Sequence, residues 1–197
     1  ASRLPNKPLA DIAGKPMIQH VWERAVEADM APVYVATDDR SIADVIEQAG
    51  GKAILTRSDH PSGSDRVFEA VETIDPQQQY EDVLNLQGDL PEMQVTVPHQ
   101  LAATLDQSNC DLATLVTKVS EKDAAKAQIV KAVVSWKKNG LGDALYFSRA
   151  AVPAGPIEKY HHIGVYGWRR AALAQFVTLP PSTLELAEKL EQLRALE

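Results

Sequence analysis

The chain has 197 residues, of which 45% are hydrophobic and 24% are charged, and these proportions are typical of a globular domain rather than a disordered chain. Its 20 Lys and Arg against 27 Asp and Glu leave a net charge of −7, which disfavours a general duplex-binding protein because phosphate neutralisation needs a basic face. Polar residues interrupt every apolar run before the roughly 20 residues that a membrane span needs, so we expect neither a nucleic-acid nor a membrane partner.

The first half of the sequence alternates predicted helices and strands. Apolar residues at helical spacing predict helices, and short apolar runs between polar loops predict strands. This alternation is typical of βαβ units with a largely parallel, buried sheet, which binds ligands at the carboxyl ends of its strands. In chain order, the predicted elements are a helix over 16–29, a strand over 33–36, a helix over 42–49, a strand over 53–56, a helix over 67–74, a strand over 83–86 and a helix over 97–105.

The pattern changes after residue 105. Strand-like runs follow, and the turn sequence Lys137-Lys138-Asn139-Gly140 between two of them predicts an antiparallel ribbon. We expect a single domain over 1–197 that contains this ribbon region over 129–168. The predicted strands cover 112–119, 129–136, 144–147 and 162–168, and the predicted helices cover 171–177 and 184–196.

The first motif with chemical potential is the loop Ser2-Arg3-Leu4-Pro5-Asn6-Lys7-Pro8-Leu9. Its prolines restrict the loop, and a loop that is already ordered loses less entropy when it closes over a triphosphate. Arg3 offers a planar fork for phosphate or carboxylate, and Lys7 a point charge that suits phosphoryl transfer. The motif predicts catalytic roles for both, and a solvated loop with two surface cations is the alternative.

The second motif, over residues 56–66, lies between a predicted strand and a predicted helix. Small hydroxyls and a glycine let the backbone approach a planar base, and amides at a helix start can meet its carbonyl group. We therefore predict that Ser62, Gly63 and Ser64 bind a nucleotide. The alternative is that Ser62 or Ser64 is only the N-cap of the helix.

The third motif is Gln87-Gly88-Asp89, which directly follows the predicted strand over 83–86. A carboxylate at this position can hold Mg²⁺, because Mg²⁺ prefers one or two carboxylates together with ligand phosphates. Asp89 is the predicted metal ligand and Mg²⁺ the predicted cofactor. One acid alone does not make a magnesium site, and the alternative is a turn aspartate that caps local amides.

The fourth motif lies on the predicted strand over 162–168, where alternation places His162, Gly164 and Tyr166 on one face. A His and a Tyr beside a glycine leave room for a hydroxylated ligand. The adjacent His161 and His162 could also be a plain edge-strand pair, and their spacing makes a poor metal site. The last predicted helix, over 184–196, carries no functional prediction by itself, because its leucines are expected to pack and its charges to be solvated.

Together and in this order, the motifs resemble those of the 3-deoxy-manno-octulosonate cytidylyltransferases, or CMP-Kdo synthetases. The resemblance covers nearly the whole chain. It is carried by Ser2 to Leu9, Gly14-Lys15-Pro16-Met17-Ile18, Thr56 to Arg66, Gln87-Gly88-Asp89, Ala144-Leu145-Tyr146-Phe147-Ser148-Arg149, His162-Ile163-Gly164-Val165-Tyr166-Gly167 and Leu190-Glu191-Gln192-Leu193-Arg194.

The resemblance implies an α/β fold of the three-layer Rossmann-like nucleotide-diphospho-sugar transferase type, with a mixed, mostly parallel sheet and an antiparallel dimerisation ribbon. It implies transfer of CMP from CTP to the anomeric hydroxyl of 3-deoxy-D-manno-octulosonate (Kdo) for lipopolysaccharide biosynthesis, with Mg²⁺ required and a homodimer expected. The implied site residues are Arg3 and Lys7 at the sugar carboxylate and triphosphate, Ser64 and Arg66 at the nucleotide, Asp89 at Mg²⁺, and Gln87, His162, Tyr166, Glu191 and Gln192 at Kdo.

The sequence departs from the family pattern at several places, among them a short link from Pro153 to Lys159. The family has an apolar strand before the first motif and a later segment with a second metal-binding aspartate, and this sequence contains neither. Leu90 stands where the family usually has an acidic residue. Because the chain opens at Ala1 and stops at Glu197 within a predicted helix, we expect it to be part of a longer protein.

Two other functions fit some of the motifs. A CMP-sialic acid synthetase has the same reaction type, but its phosphate loop is usually richer in glycine and lysine than the loop around Lys7. A nucleotide-binding relative without catalysis is the second alternative. The single cysteine, Cys110, cannot form an internal disulfide, so we expect a reducing compartment and a cytoplasmic protein. Because cysteine is small and apolar, we expect Cys110 to be a core residue.

Overall fold

The computed structural model describes residues 7–197, so the predictions for Ser2 and Arg3 lie outside the described residues. The chain forms two units, the first ending at Ala103 and the second covering Thr104–Glu197. No helix in the described part is long and apolar enough to cross a membrane.

The first unit contains the expected alternation of strands and helices. A 3₁₀ turn at Lys7–Leu9 precedes a short antiparallel hairpin, and β3 and β4 pair in parallel from Tyr34 opposite Lys52 to Thr37 opposite Leu55. The elements are β1 (Asp11–Ile12), β2 (Lys15–Pro16), α1 (Met17–Glu27), β3 (Tyr34–Thr37), α2 (Arg40–Gln48), β4 (Lys52–Leu55), α3 (Gly63–Ile74), β5 (Asp82–Leu86) and the first half of α4 (Val97–Ser108).

Packing in the first unit follows the apolar pattern of the sequence. Helix α1 buries Met17, Ile18, Val21 and Ala25, which lie on one face at helical spacing. The backbone at Gly51 passes so close to α1 that a Cβ atom there would lie 2.8 Å from the ring of Trp22. A glycine at this position therefore allows the chain to return from α2 into β4.

The second unit is built mainly from antiparallel strands. Strand β9 pairs with β6 along its length and with the start of β7, and β7 pairs with β8. This pairing confirms the antiparallel ribbon. The elements are β6 (Leu112–Val119), α5 (Glu121–Ala124), β7 (Lys131–Trp136), β8 (Gly142–Ser148), β9 (Lys159–Arg169), α6 (Arg170–Phe176) and α7 (Thr183–Glu188).

The prediction of one helix over 184–196 is wrong. Helix α7 begins with a Ser182–Glu185 capping box and ends at Lys189, whose φ of 56° and ψ of 50° are left-handed. A short 3₁₀ segment, Glu191–Ala195, follows. Leu190 and Leu193, which follow the break, pack in one core cluster with Phe147.

Candidate active site

The carboxyl ends of the parallel strands β3 and β4 are joined by Arg66. Its Nη1 atom donates to Thr56 Oγ1 at 2.6 Å and lies 3.1 Å from Asp38 Oδ1. Thr56 follows β4 and Asp38 follows β3, so one guanidinium spans both strand ends. The structure thus places a predicted nucleotide-binding residue at the edge where parallel sheets bind ligands.

Contacts with α3 fix the loop that leads into this helix. Ser62 is the N-cap of α3, because its side chain accepts from the Asp65 amide, and Ser64 is 1% exposed. The Glu69 carboxylate on α3 accepts from the Arg57 amide at 3.3 Å and contacts Nε2 of the buried His60. The N-cap alternative is therefore correct for Ser62, and it is compatible with a role in nucleotide binding.

Lys7 and Asp89 come together although 82 residues separate them. Lys7 Nζ lies 2.7 Å from Asp89 Oδ2, and both side chains are nearly half exposed. An exposed ion pair of this kind contributes only about 0 to 1 kcal/mol to stability. Its value is positional, because it sets a cation and a carboxylate side by side just beyond the carboxyl end of β5.

The donor set at Asp89 fits Mg²⁺ only when a ligand supplies further oxygens. Lys7 contacts one oxygen of the carboxylate, and Gln87 lies exposed two residues earlier. Within residues 7–197, no group of three or more His, Cys, Asp or Glu could hold a metal by itself. Mg²⁺ in nucleotide sites is held by one or two carboxylates together with ligand phosphates, so a bound triphosphate would have to supply the remaining oxygens.

In the second unit, three predicted residues form one buried polar cluster. His162, Tyr166 and Gln192 are each 5% exposed or less. The Tyr166 hydroxyl donates to Gln192 Oε1 at 3.2 Å, and Gln192 Nε2 lies 3.4 Å from His162 Nδ1. The imidazole also stands edge-on to Phe147, with ring centroids 4.8 Å apart. His162, Tyr166 and Gln192 are called the His162 cluster below.

A bulge in β9 brings two members of the His162 cluster together. Residues four apart in a regular strand are about 13 Å apart, yet the ring centroids of His162 and Tyr166 are separated by 5.6 Å. The register against β6 shifts between Thr114, opposite Tyr166, and Leu115, opposite Ile163, so extra residues of β9 bulge out. Alternation predicted a shared face correctly, but the contact depends on the bulge.

Burial controls the charge of the His162 cluster. Desolvation lowers the pKa of His162 to about 4, so the imidazole is neutral at pH 7. Desolvation, with the negative charge of Glu191 as a second cause, raises the pKa of Tyr166 above its ordinary value, so the phenol stays protonated. The cluster therefore offers neutral hydrogen-bonding groups rather than charges.

The segment that carries Glu191 and Gln192 is tied down by an ion pair. Arg194 donates two hydrogen bonds to the Glu185 carboxylate, at 2.8 and 2.6 Å, and its side chain is 4% exposed. Glu188 accepts from Ser148 Oγ at 2.6 Å. The expectation of a solvated charged face is wrong for these three residues, because the helix ends at Lys189 and the following 3₁₀ segment brings Arg194 back to Glu185.

Sequence reasoning missed several residues that shape these sites. Thr114, Glu69 and the pair Glu185–Arg194 each contact a predicted site residue or the segment that bears it. Thr114 lies in an ordinary strand pattern, and Glu69 on an ordinary helix face. No local signal distinguishes them, since Thr114 meets His162 at a distance of 48 residues along the chain and Glu69 meets His60 only once the loop before α3 has folded against the helix.

Known proteins resemble the chain over its full length. A family model described as cytidylyltransferase matches residues 1–197. The chain is 50% identical over 199 residues to a 3-deoxy-manno-octulosonate cytidylyltransferase of Paramagnetospirillum magneticum, covering 100% of this chain and 81% of that protein. It is 51% identical over 198 residues to the enzyme of the same name from Methylobacterium radiotolerans, of which it covers 80%.

Solved structures give the same result. A CMP:2-keto-3-deoxy-manno-octonic acid synthetase complexed with CTP superposes with a TM-score of 0.87 and 42% identity, covering 100% of this chain and 80% of that one. A UDP-glucose pyrophosphorylase complexed with UDP-glucose shares the fold alone, with a TM-score of 0.59 at 14% identity over 94% of this chain and 78% of that one. These likenesses confirm the α/β fold expected from the sequence.

Proposed function

The chain belongs to the cytidylyltransferase family, as a relative of the 3-deoxy-manno-octulosonate cytidylyltransferases, and we infer from this that it transfers CMP from CTP to the anomeric hydroxyl of Kdo and releases pyrophosphate. The full-length identity to enzymes of that name carries the inference. The relatives do not favour a CMP-sialic acid synthetase. Since Kdo is a lipopolysaccharide sugar, the product CMP-Kdo serves lipopolysaccharide biosynthesis.

We assign nucleotide binding to Ser62, Gly63, Ser64 and Arg66. Arg66 supports this assignment because its guanidinium already lies at the ends of β3 and β4. Gly63 begins α3 and carries no side chain, which suits the close approach of a base or phosphate to the helix start. Arg3, outside the described residues, and Lys7 are assigned to the triphosphate and the sugar carboxylate.

We assign the metal to Asp89. When bound, Mg²⁺ offsets negative charge on the phosphate oxygens as pyrophosphate leaves. Lys7 and Asp89 neutralise each other at 2.7 Å, and an incoming triphosphate competes for the Lys7 ammonium. The Asp89 carboxylate is then released to serve as a metal ligand.

We assign the sugar acid to Gln87, His162, Tyr166, Glu191 and Gln192. A polyhydroxylated sugar needs several hydrogen-bonding partners, and the neutral His162 cluster supplies them without repelling an anion. Catalysis in this scheme consists of positioning two anions and offsetting their repulsion, so that the hydroxyl attacks the α-phosphorus in line. No covalent nucleophile is required.

The direct test is pyrophosphate release from CTP, measured with Mg²⁺ present or chelated and with Kdo or N-acetylneuraminic acid as the acceptor. We expect release with Kdo and Mg²⁺ only. Release with N-acetylneuraminic acid instead would identify a CMP-sialic acid synthetase. CTP binding without release from either acceptor would identify a non-catalytic nucleotide binder.

We also propose a homodimer that forms through the ribbon of β7 and β8, in the cytoplasm. Trp136 on β7 is 45% exposed and Leu145 on β8 is 60% exposed, so the ribbon presents apolar surface. Cys110 is a free thiol, which suits a reducing compartment. Sedimentation at assay concentration should give twice the chain mass, and a monomer would refute the dimer.

A further inference from the structure

One threonine hydroxyl contacts three polar groups at the bulge of β9. Thr114 Oγ1 lies 2.9 Å from His162 Nε2, 2.7 Å from the carbonyl oxygen of Val165 and 3.3 Å from that of Ile163. A hydroxyl has a single hydrogen, and a carbonyl oxygen can only accept. The hydrogen is therefore donated to the carbonyl groups, chiefly that of Val165. A lone pair of Oγ1 then faces the imidazole.

This direction determines the tautomer of His162. Because Thr114 Oγ1 accepts, Nε2 of the neutral ring carries the hydrogen and Nδ1 keeps a lone pair. Gln192 Nε2 donates to Nδ1, which turns Gln192 Oε1 toward Tyr166. The Tyr166 hydroxyl donates to Oε1. The side-chain amide can satisfy both neighbours in this orientation only, since a flipped amide would set an oxygen against the Nδ1 lone pair.

We propose that Thr114 is a positioning residue that sets the direction of every hydrogen bond in the His162 cluster and thereby the polarity that the cluster presents to the sugar. Tyr166 donates its hydrogen within the cluster, so its oxygen offers lone pairs to a ligand. That oxygen fits a sugar hydroxyl rather than the sugar carboxylate. This consequence rests on the proposed function, because it assumes that the acceptor sugar binds at the His162 cluster.

The tautomer can be measured without substrate and without changing Thr114. The protein contains five histidines, so ¹⁵N-histidine labelling gives a small set of ring signals, and loss of a signal in His162→Gln assigns His162. At pH 7.5 we expect Nε2 of His162 to be protonated and Nδ1 to be unprotonated. A protonated Nδ1 with a bare Nε2 would overturn the proposal, whatever the variants show.

Two variants then connect the tautomer to the reaction. Thr114→Val keeps the branched shape and removes the hydroxyl, whereas Thr114→Ser keeps the hydroxyl. We expect Thr114→Val to give a mixture of His162 tautomers and to raise the KM for Kdo about tenfold, with the KM for CTP changed less than about twofold. In Thr114→Ser, the His162 tautomer and the KM for Kdo should both be close to those of the wild type.

Different results would refute the role of Thr114 and the proposed function. Unchanged His162 signals and an unchanged KM for Kdo in Thr114→Val would overturn the role of Thr114. Equal loss in Thr114→Val and Thr114→Ser would indicate a packing role and would also overturn it. An absence of Kdo-dependent pyrophosphate release by the wild-type enzyme would refute the proposed function, while the tautomer measurement would still decide what Thr114 does.

Discussion

Replacement of Asp89 by Asn should lower kcat by about 100-fold while changing the KM for CTP by less than about threefold. The substitution keeps the size of the side chain and an oxygen that can accept from Lys7, but it removes the negative charge that a Mg²⁺ ligand needs. The loss falls on kcat because charge builds on the departing pyrophosphate in the transition state more than in bound CTP.

Asp44→Asn is the matched control for this experiment. Asp44 is an exposed carboxylate on α2 that is also paired with a cation, Arg40, at 2.7 Å. The control variant loses the same charge at a similar exposure and should retain wild-type kcat. An unchanged kcat in Asp89→Asn would remove Asp89 from the mechanism, and a KM increase without a kcat decrease would assign it to ground-state binding alone.

Replacement of Arg194 by Met should lower the free energy of unfolding by about 3 kcal/mol. Arg194 is nearly fully buried and its partner Glu185 is only 12% exposed, so the substitution leaves a carboxylate without its cation. The aliphatic part of the side chain is replaced by methionine, which limits the loss of packing. Denaturant unfolding measured at pH 7 tests the effect.

The stability of the same variant as a function of pH is a second test of the Arg194–Glu185 pair. Hydrogen bonds from Arg194 lower the pKa of Glu185 below its ordinary value of 4.5. The stabilisation is therefore fully present above the unfolded-state pKa and is lost as the pH falls through the lower folded-state pKa. Below pH 4.5 the wild type should lose stability on account of this pair, whereas Arg194→Met should not.

Lys118→Met provides the comparison with an exposed pair. Lys118 lies on β6 and contacts Glu158, the residue before β9, and both side chains are more than half exposed. Water screens this pair, so the unfolding midpoint should hardly change. If Arg194→Met were as mild as Lys118→Met, the buried pair would not be what holds the segment of Glu191 and Gln192.

Much of the fold could be predicted from the pattern of apolar residues. The strand at Tyr34–Thr37, the helix at Arg40–Gln48 and the antiparallel strands β7 and β8 were predicted with ends about two residues or less from those observed. Each depends on local periodicity and on turn residues such as Asn139 and Gly140. The helix over 184–196 was wrong because helical spacing continues past Lys189, while contacts with the ribbon favour a break there.

The candidate site divides in the same way. The sequence by itself determined the fold class and the family, because these are encoded by short motifs in a characteristic order, and the same motifs predict residues for a nucleotide, a metal and a sugar. Only the tertiary structure decided that Lys7 meets Asp89, that a bulge opposite Thr114 brings His162 to Tyr166, and that Arg194 is buried. Lys7 and Asp89 are 82 positions apart and Thr114 and His162 are 48 apart, and the contacts between nearer residues depend on hydrogen-bond directions and desolvation that no local pattern contains.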